Sequence, residues 1–252
     1  MGMALTGACP GTILVQVAAD LRSALPTLAG ALLGGGIFIL ARDWYLLCRK
    51  DASRKSTLAA PATVASALGI SSTTVTLAYS ALCASLAITL HSMAKASSVG
   101  ASASLVPIVG GVAIGAAQLV CLLISWTTLG ISTAYEIIGQ YLAKPLLPHR
   151  QNGQKVNGRP NLGPVLFCLG VVAGASALLT LQPPSYMDKA IATSISTASS
   201  LLGGVTMVVG ARIAGGCTSG HGISGMAIQG VSSLVTTAFM FGAGALASLF
   251  LY

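Results

Sequence analysis

Apolar residues run in long, nearly charge-free blocks, and polar clusters fall between them. The blocks predict spans at about 25–41, 70–92, 103–126, 162–182, 195–213 and 226–250. Each approaches the roughly 20 residues needed to cross the hydrocarbon core as a helix. Two shorter Gly-rich segments, 2–19 and 214–225, flank the first and fifth of these. Segment 58–69 is apolar but broken by Pro61 and Gly69, which predicts an interfacial or re-entrant piece rather than a span. Residues 148–161 (Pro-His-Arg-Gln-Asn-Gly-Gln-Lys-Val-Asn-Gly-Arg-Pro-Asn) form the clear hydrophilic linker. They divide the chain into a first transmembrane half, 1–147, and a second, 162–252. The expected fold class is an all-α polytopic membrane protein.

Composition supports this. Of the 252 residues, 7% are charged and 54% hydrophobic, and the mean hydropathy is +0.83. A soluble domain carries about 25% charged residues. Abundant Gly, Ala, Ser and Thr predict close helix–helix packing in lipid. The net charge of +8 does not point to nucleic acid: nine of the thirteen Lys/Arg fall in 42–57 and 144–159. Two spans separate these loops, so both can lie on the cytoplasmic side, as the positive-inside rule expects. The six cysteines show no secreted disulfide framework, and no signal peptide is expected, because Met1 leads straight into Gly-rich apolar sequence without a basic n-region. The abrupt start at Met1 is expected to reflect a truncation, a misassigned start or reliance on a partner chain.

One segment occurs twice. Gly2-Met-Ala-Leu-Thr-Gly-Ala-Cys9-Pro-Gly-Thr aligns with Gly210-Ala-Arg-Ile-Ala-Gly-Gly-Cys217-Thr-Ser-Gly-His221-Gly, and both follow G-x-x-x-x-G-[A/G]-C. Each leads through an apolar stretch to a glutamine, Gln16 and Gln229. A third stretch, Leu129-Gly-Ile-Ser132-Thr-Ala-Tyr-Glu136-Ile-Ile-Gly139, shares Gly-Ile-Ser and a closing glycine with His221–Gly230. Short polar, Gly-rich segments recurring in two halves are the sequence sign of an inverted-repeat transporter. A thiol in backbone this slim suits a narrow site for a soft ligand. The glycine frame favours a functional role for Cys9 and Cys217, whereas Cys83, Cys121 and Cys168 lack it and are expected in the core.

These two motifs resemble signatures of the YeeE/YedE family of sulfur-transport membrane proteins, in the order found in fused, fungal-type members. The resemblance covers about 1–40 and 195–250 and extends to 105–140. It implies a compact, pseudo-symmetric helical bundle with short membrane-embedded motif helices meeting near the membrane centre. It further implies uptake of thiosulfate or a related small sulfur anion, with Cys9 and Cys217 as transient thiol contacts. The family's further upstream cysteine has no counterpart here: either an N-terminal helix is missing or two cysteines suffice. A plasma-membrane location in the lipid bilayer follows from the same resemblance.

The remaining motif residues fit such a path. Gly7, Gly11, Gly215, Gly216, Gly220 and Gly222 allow close backbone approach and leave amides free to face an anion, though helix packing explains them as well. Neutral thiols donating S–H suit an anion better than thiolates, which would repel it. Arg212, the sole formal charge between Ala190 and the C-terminus, either balances a dianion or pairs with Glu136 or backbone carbonyls. His221 either packs against the motif or donates to the anion. Cys217-x-x-x-His221 has half the spacing of a metal site, but no second ligand pair accompanies it, so neither metal nor other cofactor is expected. No Lys-Ser/Thr follows the glycines, so there is no phosphate loop, and transport would be gradient-driven or pulled by consumption. The expected protein is a transporter and not an enzyme. The competing class is a membrane thiol-redox or sulfur-transfer enzyme acting at Cys217.

Overall fold

The computed structural model describes residues 1–19, 23–48, 63–96, 101–125, 131–143, 155–156, 159–160, 162–181 and 195–251. They form helices α1 (Gly2–Thr6), α2 (Pro10–Ala18), α3 (Ala24–Cys48), α4 (Val64–Leu68), α5 (Ser72–Ala96), α6 (Ala101–Ser125), α7 (Ile131–Ala143), α8 (Gly163–Leu181), α9 (Thr197–Ile213) and α10 (Val231–Leu251). A π-helical turn, Ser219–Gly225, lies between α9 and α10. A two-residue antiparallel pair, Lys155–Val156 with Arg159–Pro160, falls in the hydrophilic linker. The rest of that linker, and most of both basic loops, lie outside the described residues.

Among the described residues, each of the six predicted spans is mostly helical. Four windows are long and apolar enough to cross a membrane: Ala24–Arg42, Ser72–Thr89, Gly163–Leu181 and Val231–Phe250. Shorter apolar helices cover Ile108–Leu123 and Thr197–Ile213. The protein is therefore an all-α integral membrane protein. In the broken segment 58–69, the described part forms only the five-residue α4, capped by Thr63 and ended by Gly69 at φ 67°. Besides packing on α5, it is tied to the second motif: the Val64 amide donates to the Gln229 carbonyl at 3.0 Å.

The centre of the bundle is α3 packed on α9, with α7 against α3 and α1 across α9. Glycines make this possible, because lipid offers no hydrophobic drive between helices and contact must come from close backbone approach. A Cβ at Gly34 of α3 would stand 2.7 Å from the Val205 carbonyl oxygen, and Gly139 of α7 fits equally tightly against the backbone of Gly35 and Gly36. Alanine at Gly34 should destabilise the protein by about 1–3 kcal/mol, since rigid backbone, not a mobile side chain, must give way. A lowered unfolding midpoint in detergent would show it; an unchanged midpoint would contradict this packing.

By contrast, α5 has none of its span window buried and packs chiefly on α6 and α4. Its side chains are largely exposed on the outside of the described bundle. Cys83 is exposed on this helix and Cys121 is half-buried on α6, so the expectation that both are core residues fails. Nothing in the sequence pattern separates a lipid-facing apolar position from a packed one, because both are apolar.

Candidate functional site

The two copies of the cysteine motif fold alike. In the first, α1 ends at Gly7 with φ 61°, and two residues later Cys9 is the N-cap of α2. In the second, α9 ends before Gly215 with φ 82°, and Cys217 immediately precedes the next helical segment. Gly7 and Gly215 occupy the same place in the repeat, and both need the left-handed conformation that glycine adopts without penalty. The sulfurs are held alike as well. The Thr12 amide donates to Cys9 Sγ at 3.4 Å, and the Gly220 amide donates to the Cys217 sulfur, each from three residues downstream. Cys9 is thus one side of a reciprocal cap, with the Thr12 hydroxyl accepting its amide at 2.6 Å and Pro10 opening the helix.

Breaks of this kind free backbone donors at membrane depth, where they persist only if buried or lining a cavity. Cys217 is 1% exposed. Its sulfur meets the Ser219 hydroxyl at 2.9 Å and also receives hydrogen bonds from the side chain and backbone of Ser132 on α7. The third motif therefore joins the second through Ser132, which is 2% exposed. An amide donating into each sulfur orients the thiol so that its S–H is left to donate elsewhere.

Two residues that the sequence did not single out complete the group. Tyr135, buried on α7, donates its phenolic hydrogen to the Pro10 carbonyl at 2.8 Å, pinning α7 to the start of α2. Its phenolic oxygen is close enough to Cys9, Cys168 and Cys217 for electrostatic interaction with all three. Cys168 on α8 is buried, as expected, but in the same apolar cluster as Cys217 and within its electrostatic reach. Three thiols thus lie within electrostatic reach of one phenol. Tyr135→Phe removes a single neutral hydrogen bond and should cost about 1 kcal/mol of stability. The looser α2 start should slow uptake a few-fold; an initial-rate assay beside a melting curve tests both.

The other predicted residues fall as follows. His221 spends both ring nitrogens inside the protein: Nε2 lies 3.2 Å from the Ala214 carbonyl and Nδ1 3.0 Å from the Ser233 hydroxyl. Since a carbonyl only accepts, Nε2 carries a hydrogen, and Nδ1 shares the second hydrogen bond with the Ser233 hydroxyl. The ring clasps the break to α10. Gly216 makes room for it, as a Cβ there would stand 2.9 Å from Nε2. Gly11 sits beside Cys9 against Ile131, and Gly222 makes ordinary contact with Thr237. Arg212 forms an ion pair with Glu136, whose other oxygen accepts from Arg42 at 3.1 Å. Its guanidinium also lies 5.9 Å from the Phe38 ring. Among the described residues, no group of three His, Cys, Asp or Glu is placed to hold a metal ion.

A helical membrane bundle built around two thiol-bearing breaks is the class of protein that fold and site define. A family model described as sulphur transport matches residues 1–246, and the chain belongs to that family. It is also similar to two proteins named probable transporter, both from Xylella fastidiosa. The one from strain Temecula1 is 30% identical over 145 residues, covering 58% of this chain and 93% of the relative. The one from strain 9a5c is 31% identical over 147 residues, with the same coverage.

Proposed function

We propose that the protein carries thiosulfate, or a closely related small sulfur anion, across the plasma membrane, with Cys9 and Cys217 as successive contact points. The observation that carries this reading is the matched construction of the two breaks: equivalent glycines, equivalent amide-to-sulfur bonds, and a shared neighbour in Tyr135. A packing role for cysteine requires no such repetition. The names of the bacterial relatives agree with transport as the class of activity.

In this mechanism the anion moves past neutral S–H donors one at a time, exchanging each hydrogen bond for the next. Such exchange keeps every intermediate solvated without binding any of them tightly. The sequence expectation of free amides at Gly7, Gly11, Gly215, Gly216, Gly220 and Gly222 is corrected at three of them: the Gly7, Gly215 and Gly216 amides donate to the Met3, Arg212 and Ala211 carbonyls, so these glycines shape the breaks rather than offer donors to the anion. His221 acts indirectly, by holding the Cys217 segment in place, and Arg212, paired with Glu136, supplies positive charge in the last turn of the helix that leads into it. The halves 1–147 and 162–252 each contribute one break, and the basic loops 42–57 and 144–159 face the cytoplasm.

Growth on thiosulfate as the sole sulfur source tests the reading. A host lacking its own uptake system should grow when it expresses this chain and should not grow with an empty vector. Absence of growth, with the protein shown to be in the membrane, removes thiosulfate as the substrate.

A further inference from the structure

A cavity of about 310 Å³ lies between α1, α9, the Cys217 segment and α10. Its wall includes Cys217, Thr218, Met3, Met207 and Met240. We infer that this cavity binds the terminal, sulfane-sulfur end of a small sulfur oxyanion, and that its methionines distinguish a thiosulfate-type ion from sulfate. The inference rests on the proposed sulfur-anion transport and adds to it the residues that choose the substrate.

The chemistry of the wall points to the ligand. Thiosulfate and sulfate carry the same charge and differ in one terminal atom, a large polarizable sulfur in place of an oxygen. Donors to the oxygens recognise both ions, so the difference must be read at that atom. Thioethers are soft and polarizable and adapt to irregular shapes, and they favour contact with another soft atom over a hard, strongly hydrated oxygen. Four of them, Met1 included, line the cavity beside a buried thiol. The Thr218 hydroxyl, at the edge of the cavity and next to Cys217, is buried with no hydrogen-bond partner. Buried polar groups are normally paired, so this one is a donor in place for an anion oxygen. One face thus suits sulfur and one edge suits oxygen.

The cavity is also held open by its frame. Gly2 brings α1 so close to α9 that a Cβ there would stand 2.6 Å from Met207 Cβ. At Gly210, which also lines the space, an added Cβ would meet nothing within 4 Å. A larger side chain at Gly210 therefore fills the cavity without displacing a neighbour.

The test is binding of radiolabelled thiosulfate to the full chain in lipid nanodiscs, chased with unlabelled thiosulfate or with sulfate. In the wild type, sulfate should compete at least about tenfold more weakly. The volume-conserving pair Met207→Leu with Met240→Leu should narrow that gap by roughly 3- to 10-fold. Gly210→Leu should weaken thiosulfate binding tenfold or more while the protein elutes as a normal folded species. Equal competition by sulfate in the wild type, an unchanged gap in the leucine pair, or no thiosulfate binding at all overturns the inference. Uptake into vesicles separates it from the transport reading. Thiosulfate that binds selectively but never accumulates sinks transport and leaves the cavity; uptake with an unchanged gap in the leucine pair does the reverse.

Discussion

Thiosulfate uptake should fall roughly 10- to 150-fold when Cys217 becomes alanine, with the protein still folded in the membrane. The size follows from the loss of one donor to a charged ligand, worth about 1.5–3 kcal/mol, at tenfold per 1.4 kcal/mol. The fold survives because little is removed. Cys217 is small and fully buried, and its substitution leaves the Ser219 hydroxyl without its sulfur partner, a cost of about 1–3 kcal/mol within a total of several. Cys217→Ser separates two chemistries. A hydroxyl still accepts from the Gly220 amide and still donates, so a hydrogen-bonded path keeps a measurable part of the wild-type rate. A path through a covalent persulfide loses everything in both variants, because oxygen forms no such adduct. Initial rates of labelled thiosulfate uptake, normalised to protein in the membrane, decide this. Wild-type uptake in the alanine variant would reduce Cys217 to packing.

The parts of the site legible in the sequence are those whose reason is local. The repeated G-x-x-x-x-G-[A/G]-C pattern marks Gly7 and Gly215 as left-handed helix ends and places each cysteine at the following helix start, because caps and turns depend on residues within one turn. The spans are legible for a similar reason: crossing lipid demands about twenty apolar residues in a row. Cys168, Tyr135 and Arg42 were not legible as members of the site. Each reaches it from a different helix, and Tyr135 contacts Pro10 across 125 positions. Cys168 lies in a uniformly apolar helix, where no period marks one face as special. The glutamate–arginine pairing was readable as one of two options, since two isolated opposite charges in lipid seek each other. That Arg42 shares the same carboxylate was hidden by its place at the edge of a basic loop, where solvent is the default expectation.

Glu136→Ala should cost most of the folded protein. The carboxylate is 8% exposed and takes Arg212 on one oxygen and Arg42 on the other, joining α9, α7 and α3 at the centre of the bundle. Removing one partner from a buried ion pair strands the remaining charge and costs about 3–5 kcal/mol, a large share of the roughly 5–15 kcal/mol that a folded domain has. The expected result is a severalfold lower yield of monodisperse protein after detergent extraction; an undiminished yield would show that the carboxylate is dispensable. Replacing both partners apolarly, Glu136→Leu with Arg212→Met, is a different perturbation. It removes the more deeply buried Arg212 charge together with its carboxylate, and such replacements are often neutral, while Arg42, whose side chain is 36% exposed, loses Glu136 but keeps access to its surroundings. The folded yield should therefore return. Uptake should not, because the Arg212 charge in the last turn of α9, the helix that leads into the Cys217 segment, has gone. Full recovery of uptake with the fold would confine Arg212 to locking three helices together. Recovery of the fold alone gives it both tasks, with the glutamate holding the guanidinium in place between passing ions.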